Sequence, residues 1–192
     1  MAEIKQVIIY AVNNIKPLDE LEQKHKDDVL AWVRSGASLF RISKPDNPPK
    51  HLVSYFVLYD PQSSQLLLID HVKARAWLPT GGHVEINEDP RETVIREASE
   101  ELQIAAEFNT VFGRDPIFVT VTQTKGEGSH VDVSLWYVIN GNSSIKLAYD
   151  KREMNSYKWL GLQDVLAMDL SELDPQMHRF VRKMELALNP RC

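Results

Sequence analysis

The stretch GHVEINEDPRETVIREASEELQI, Gly82 to Ile104, decides how the rest of the chain is read. Its acidic residues surround one predicted helix. At 3.6 residues per turn Glu97, Glu100 and Glu101 fall on one face, while Ile95, Ala98 and Leu102 share another that can pack on a sheet. Like charges at Glu97 and Glu101, one turn apart, repel by about a few tenths of a kcal/mol on an exposed helix, and by more where partly buried. A divalent cation turns that penalty into binding. Arg96 lies one turn from both Glu92 and Glu100, so it can pair with either carboxylate and fix its rotamer. Hard oxygen ligands of this kind suit Mg²⁺, which is usually shared between carboxylates and substrate phosphates, with Mn²⁺ as a substitute. Such an ion polarises phosphoryl oxygens and lowers the pKa of a bound water, so hydrolysis of a phosphoanhydride is the expected chemistry.

Upstream, Leu52 to Tyr59 and Gln65 to Asp70 are apolar runs of strand length separated by Asp60-Pro61-Gln62-Ser63-Ser64, which predicts an antiparallel hairpin. Trp77-Leu78-Pro79 leads into Thr80-Gly81-Gly82, where the backbone can turn tightly and approach a ligand or ion. Lys44-Pro45-Asp46-Asn47-Pro48-Pro49 reads as a linker, because prolines and turn formers cannot continue a helix. It sets a domain boundary near 47, between an N-terminal helical extension (1–46) and the main domain (47–192). In the extension, Ile4, Val7, Ile8 and Ala11 recur at helix spacing, although the β-branched residues from Val7 to Val12 also admit a strand. A second helix is expected from Leu18 to Arg34, started by Pro17, stopped by Ser35-Gly36, and carrying Leu18, Leu21, Val29, Leu30 and Val33. No chemical motif stands out there, which leaves packing, dimerisation or shaping one wall of a site open.

Downstream, strands are expected at Ile117 to Gln123 and Val131 to Asn140, joined by the loop Thr124 to Ser129, and at Ser156 to Leu160. A short helix near Leu162 to Met168 follows. A final helix spans Asp174 to Leu188, with Asp174 as its cap and Pro175 at its first position. Strands flanking an early helix, with helices at the end, suggest an α/β fold with a mixed sheet held between helices.

The chain has 192 residues, 43% of them hydrophobic, enough for one domain plus an extension with no need of disulfide or metal staples. A net charge of -5 argues against a nucleic-acid polymer or an anionic membrane as partner and for a small molecule. The one cysteine, Cys192, makes no internal bridge, and no apolar run is long enough for a membrane span or signal peptide. A soluble cytoplasmic protein is expected.

Gly82, Glu88, Arg96, Glu97, Glu100 and Glu101 stand at the separations of the Nudix box, which the stretch resembles. Six fixed positions match by chance with odds on the order of one in a few hundred thousand, which outweighs the plain alternative of a solvated, charge-rich helix face. The departure is Gln103, where the family usually has a helix-ending glycine, so the helix is expected to end by another route or run slightly longer. The resemblance covers roughly residues 51–185 and implies the Nudix α/β/α sandwich. It also implies Glu100, Glu101 and the carbonyl of Gly82 as metal ligands, Glu97 as a ligand or as the base that orients water, and Arg96 and Glu88 as supports.

In the nucleoside-triphosphate-cleaving branch a further carboxylate precedes a tryptophan of the last strand, and Glu153 before Trp159 looks like that arrangement. Asp132 and Glu127 compete with it. Alternation puts His130 and Asp132 on one face of their strand, and His130 reads equally as a strand-end residue or a ligand contact. Asp150 reads as a solvated turn. Lys73, Arg75 and Lys125 are candidates for neutralising phosphates but read first as surface charge. Trp77, Phe118 and Trp136 are candidates for stacking on a base but read first as core.

The expected activity is hydrolysis, with water as nucleophile, of a nucleoside diphosphate linked to another group: a nucleoside triphosphate, ADP-ribose or a nucleotide sugar. Pro116 lies near, but short of, the proline typical of the ADP-ribose branch, and nothing upstream resembles the coenzyme A signature. The alternative is an inactive Nudix-like nucleotide sensor, which would be expected to lose box carboxylates that are all present here. The diphosphate-isomerase branch needs a reactive pocket cysteine, which Cys192 does not supply.

Overall fold

A computed structural model describes residues 2–44, 46–124 and 128–189. In chain order its elements are α1 (Ala2–Asn14), α2 (Glu20–Arg34), β1 (Lys50–Asp60), β2 (Gln65–His71), β3 (Ala76–Leu78), β4 (Thr80–His83), α3 (Pro90–Leu102), β5 (Phe118–Gln123), β6 (Val131–Asn140), β7 (Met154–Gly161), α4 (Leu162–Ala167), a 3₁₀ turn (Leu170–Glu172) and α5 (Met177–Leu188). The strands form a seven-stranded sheet in the order β3-β2-β1-β6-β5, with β4 paired to β1 and β7 to β2. The expected α/β class, mixed sheet and N-terminal helical region are all present. The chain clusters into two units: Met1–Tyr55 with Gly81–Val94 and Asp115–Tyr137, and Phe56–Thr80 with Ile95–Arg114 and Val138–Cys192.

In the first unit the 3.6-residue period prevails over β-branching. Ile4, Ile8, Ala11 and Val12 are buried along α1, and Val29, Leu30 and Val33 along α2. Leu21, another apolar residue of this segment, is 45% exposed. The second helix starts later than expected, because Asp19 rather than Pro17 marks its start and accepts the Glu22 N–H at 2.9 Å. Lys26 Nζ donates to the carbonyls of Asn13 and Ile15 at 2.8 and 2.6 Å, satisfying oxygens at and just beyond the end of α1. Glu22 is fully buried, and its carboxylate accepts the N–H groups of Leu18 and of Val119 on β5, so the extension is hydrogen-bonded to that strand. Around the stretch read as a linker, Ser43 and Asn47 form an isolated bridge. Ile42 donates to Asn47 O at 2.8 Å and Asn47 to Ser43 O at 3.2 Å, with Pro45 outside the described residues.

In the second unit β1 and β2 form the expected hairpin, with Tyr59 opposite Leu66 and Asp60 opposite Gln65. Asp60 is 4% exposed, and its carboxylate accepts from the hydroxyl and N–H of Ser143 at 2.7 and 2.8 Å and from the Gln62 N–H at 2.9 Å. The Ser143 bonds, aided by Gln62 and opposed by burial, hold its pKa well below the usual carboxylate range. A depressed folded-state pKa contributes stability above the unfolded value of about 3.9, and that stability is lost as pH falls through the folded value. Asp60→Asn is therefore expected to lose about 1–3 kcal/mol at neutral pH. Urea unfolding should show the gap from wild type shrinking below about pH 4.

The helix α3 ends at Leu102, one residue before the expected glycine position. Gln103 takes the left-handed conformation itself, with φ +54°, and the Ile104 N–H closes on Ala98 O at 3.2 Å. The helix thus neither runs longer nor ends by a different route. It uses the usual left-handed cap with a residue that pays about 1–2 kcal/mol for it. Gln103→Gly is expected to gain about 0.5–1 kcal/mol after glycine's larger unfolded-state entropy is subtracted. Thermal unfolding should show Tm higher by about 2–4 °C. The apolar face of α3 is Val94, Ala98 and Leu102, all fully buried, while Ile95 is half-buried. At the far end of the chain, Asp174 caps a turn rather than the helix. Its Oδ1 accepts the Gln176 N–H at 2.7 Å, and α5 begins at Met177.

Candidate functional site

The glycine turn before the box is set by its own neighbours. Gly81 has φ +142°, and a Cβ there would lie 2.1 Å from Ser54 O and 2.9 Å from Tyr55 Cα. The close approach the sequence suggested is therefore made to β1, and glycine at 81 is a packing requirement. Gly82 follows in β4. Glu88 Oε2 accepts from the Glu85 N–H at 2.9 Å and from Thr93 Oγ1 at 2.7 Å, joining the loop to the first turn of α3. Ser54 Oγ donates to Pro90 O at 2.8 Å and fixes the start of that helix to β1.

On the second half of α3, Arg96 Nη1 lies 2.6 Å from Glu97 Oε1 and 3.5 Å from Glu100 Oε2. The sequence pointed to a partner one turn away. The shorter contact is to the adjacent Glu97, because the long guanidinium arm can curl back over its neighbour while still reaching Glu100. Side-chain exposure is 12% at Glu97 and 61% at Glu100, and Glu101 Oε2 is buried. This set of carboxylate oxygens within two turns, already drawing one cation, has the donor chemistry a hard divalent ion requires.

Glu153 is joined to the same helix through the backbone. Its N–H donates to Asp150 O at 3.1 Å, and the Asp150 N–H donates to Glu101 O at 2.9 Å. The Glu153 carboxylate lies 3.8 Å from Lys73 Nζ and 4.0 Å from His71 Nε2, and its carbonyl accepts the Val72 N–H. Asp150 is a turn residue as expected, held by Arg152. That guanidinium keeps its pKa at about 2, with a backbone hydrogen bond from Arg152 assisting.

His130 and Asp132 do share a face, with His130 Nε2 3.2 Å from Asp132 Oδ1. The tertiary structure adds three residues the sequence reading passed over. His51 Nε2 is 3.3 Å from the same Asp132 Oδ1, and His130 Nδ1 is 3.2 Å from Asp46 Oδ2. The His51 ring stands 4.8 Å from that of His83 and 4.9 Å from that of His130. Burial, reinforced by Arg41, pushes His83 down to about 4, so its imidazole is neutral at pH 7. Burial also works against charge on His51, but Asp132, the Pro48 carbonyl and Asp46 outweigh it and raise its pKa. These residues lay in an apolar strand, in the box and in the supposed linker, so no local spacing connected them.

Phe118 and Trp136 are fully buried, edge to face at 5.8 Å, and Trp136 Nε1 donates to Thr120 Oγ1 at 3.0 Å. They are core and do not stack on a base. Trp77 is half-buried beneath Lys158, whose Nζ lies 4.3 Å from the ring centroid. Lys73 and Arg75 are exposed, as surface charge would be. Lys125, Glu127 and Cys192 lie outside the described residues. No helix among the described residues is long and apolar enough to cross a membrane.

No curated protein matches the chain. Among solved structures, a Nudix-family hydrolase from Clostridium perfringens is similar at 22% identity, covering 71% of this chain and 97% of its own, with TM-score 0.54. An Ap4A hydrolase from C. elegans is similar at 19% identity, covering 73% and 98%, with TM-score 0.56. A MutT Nudix hydrolase from Burkholderia pseudomallei is similar at 19% identity, covering 70% and 97%, with TM-score 0.53. At these identities the likeness is one of fold. The family model for the NUDIX domain matches residues 49–184, the span that contains the glycine turn, the carboxylate helix and Glu153, and so the chain belongs to the Nudix family.

Proposed function

We propose that the protein is a Mg²⁺-dependent Nudix hydrolase that cleaves a phosphoanhydride in a nucleoside diphosphate linked to another group, with water as nucleophile. The observation that carries this reading is the arginine-bridged carboxylate set on α3, where Arg96 spans Glu97 and Glu100 one residue from the buried Oε2 of Glu101. Glu97, Glu100 and Glu101, with the Gly82 carbonyl, are the proposed ligands of Mg²⁺ or Mn²⁺. When bound, such an ion polarises the phosphoryl oxygens and offsets charge that develops on them. Arg96 orients two of the ligands, Glu88 holds the loop before the helix, and Glu97 or Glu153 accepts the proton of the attacking water. Residues 47–192 form the proposed hydrolase domain and 1–46 its helical extension. The proposed substrate is a small nucleotide rather than a nucleic-acid polymer, met in the cytoplasm.

Dinucleotides, nucleotide sugars, ADP-ribose and nucleoside triphosphates should be screened with Mg²⁺ or Mn²⁺ beside a Glu100→Gln control. Product formation that the control abolishes supports the reading. Ligand binding without turnover by wild type would instead make the chain a sensor, and a signal surviving in the control would be a contaminant. On the best substrate, Glu153→Gln is expected to cost about 10²-fold in turnover at saturating Mg²⁺, and Asp132→Asn much less. A loss confined to Asp132→Asn would reverse that ranking.

A further inference from the structure

The three histidines and their carboxylates are not used by the chemistry above. His51, His83, His130 and Asp46 each present one ligand atom, and these atoms all lie within 4.8 Å of one another. We propose that they form a binding site for a transition-metal cation of the Zn²⁺ class, separate from the carboxylates of α3, with Asp132 as a further or alternative oxygen ligand.

The bonds around the cluster aim its donors inward. His51 is fully buried, and its Nδ1 lies 2.9 Å from Pro48 O. In the neutral ring that carbonyl accepts the Nδ1 proton and leaves Nε2 as the lone-pair nitrogen, the arrangement by which a carbonyl usually orients a metal-binding imidazole. Arg41 Nη1 occupies Asp46 Oδ1 at 3.0 Å, which leaves Oδ2 on the side of His130. Asp132 Oδ1 lies where Nε2 of His51 and Nε2 of His130 converge, at 3.3 and 3.2 Å. Side-chain exposure is only 15% at Asp46, 13% at Asp132 and 17% at His130, so little water competes.

The donor set selects the ion. Two carboxylates among the imidazoles repel a phosphate and attract a cation. Imidazole nitrogen suits Zn²⁺ and its first-row neighbours, whereas Mg²⁺ takes oxygen. Tetrahedral Zn²⁺ at about 2.1 Å from each donor spaces the donors about 3.4 Å apart. The cluster must therefore contract on binding around His51, its one fully buried member.

The test uses the full chain, stripped of metal with a chelator and dialysed. Zn²⁺ bound per chain is measured by mass spectrometry of the metal in excess Mg²⁺, and Co²⁺ is added to report ligand type through its visible d–d bands. Wild type is expected to bind one equivalent of added Zn²⁺ and, with Co²⁺ in its place, to give the intense bands of a four-coordinate nitrogen-containing site. The double variant E100Q/E101Q should keep both properties, and His51→Asn and His130→Gln should each weaken Zn²⁺ affinity at least 100-fold. If His51→Asn fails to fold, His130→Gln and Asp46→Asn, at more exposed positions, decide alone. Wild type without Zn²⁺ in excess Mg²⁺, Zn²⁺ lost in the α3 variant, or Zn²⁺ affinity unchanged in the histidine and Asp46 variants would each overturn the proposal.

Discussion

Under the proposed function, Glu101→Gln is expected to lower kcat about 10³-fold on the best substrate of the screen, while leaving the fold intact. The substitution is nearly isosteric, and the backbone carbonyl that accepts the Asp150 N–H at 2.9 Å is untouched. What changes is charge. Glu101 Oε2 is buried, so its charge is less screened by water than that of Glu100, whose side chain is 61% exposed. An amide there offers a weaker oxygen to a hard divalent ion, and losing about 4 kcal/mol of charge stabilisation corresponds to about 10³ in rate. Activity should recover in part at raised Mg²⁺, because affinity for the ion falls along with the charge stabilisation. Turnover within twofold of wild type, with unchanged metal dependence, would remove Glu101 from the proposed ligand set.

The largest stability effect is expected at Gly81, whose Cβ in an alanine variant would meet Ser54 O at 2.1 Å with φ at +142°. Neither obstacle is the end of a flexible side chain; both Ser54 O and Tyr55 Cα belong to β1. Gly81→Ala should therefore cost about 3 kcal/mol or more, seen as a Tm lower by about 6–12 °C. Gly36→Ala provides the comparison. Gly36 also has a left-handed φ, +84°, but a Cβ there meets nothing within 4 Å. It should cost about 1 kcal/mol, from backbone strain alone. Equal melting shifts for the two variants would mean that β1 yields readily and that Gly81 is not fixed by packing.

How far the sequence could be read depended on the range of the interactions involved. The box helix was legible because its determinants are residues three and four apart, and the helix appears over Pro90–Leu102. The hairpin of β1 and β2 was legible for the same reason, since the turn from Asp60 to Ser64 lies between two apolar runs. The short strands β3 and β4, three and four residues long, were missed. Segments so brief have no period of their own and are strands only because a neighbour pairs with them. Gln103 shows the converse. The family habit of glycine suggested a different helix end, yet the hydrogen bond from Ile104 to Ala98 holds a glutamine in the left-handed conformation.

The sequence by itself determined the family and the carboxylate helix, and it suggested the reaction class now proposed. Those rest on spacing along one element, where covalent geometry fixes which side chains are neighbours. Tertiary structure alone decided that Gly81 is held by Ser54 and that Glu153 is tied through Asp150 to Glu101. It alone gathered His51, His83 and His130, half of the chain's six histidines, around Asp46 and Asp132. Residues this far apart in the chain have no common period. Only strand pairing and the turn at Asp46 bring them within reach, so their chemistry exists only in the folded chain.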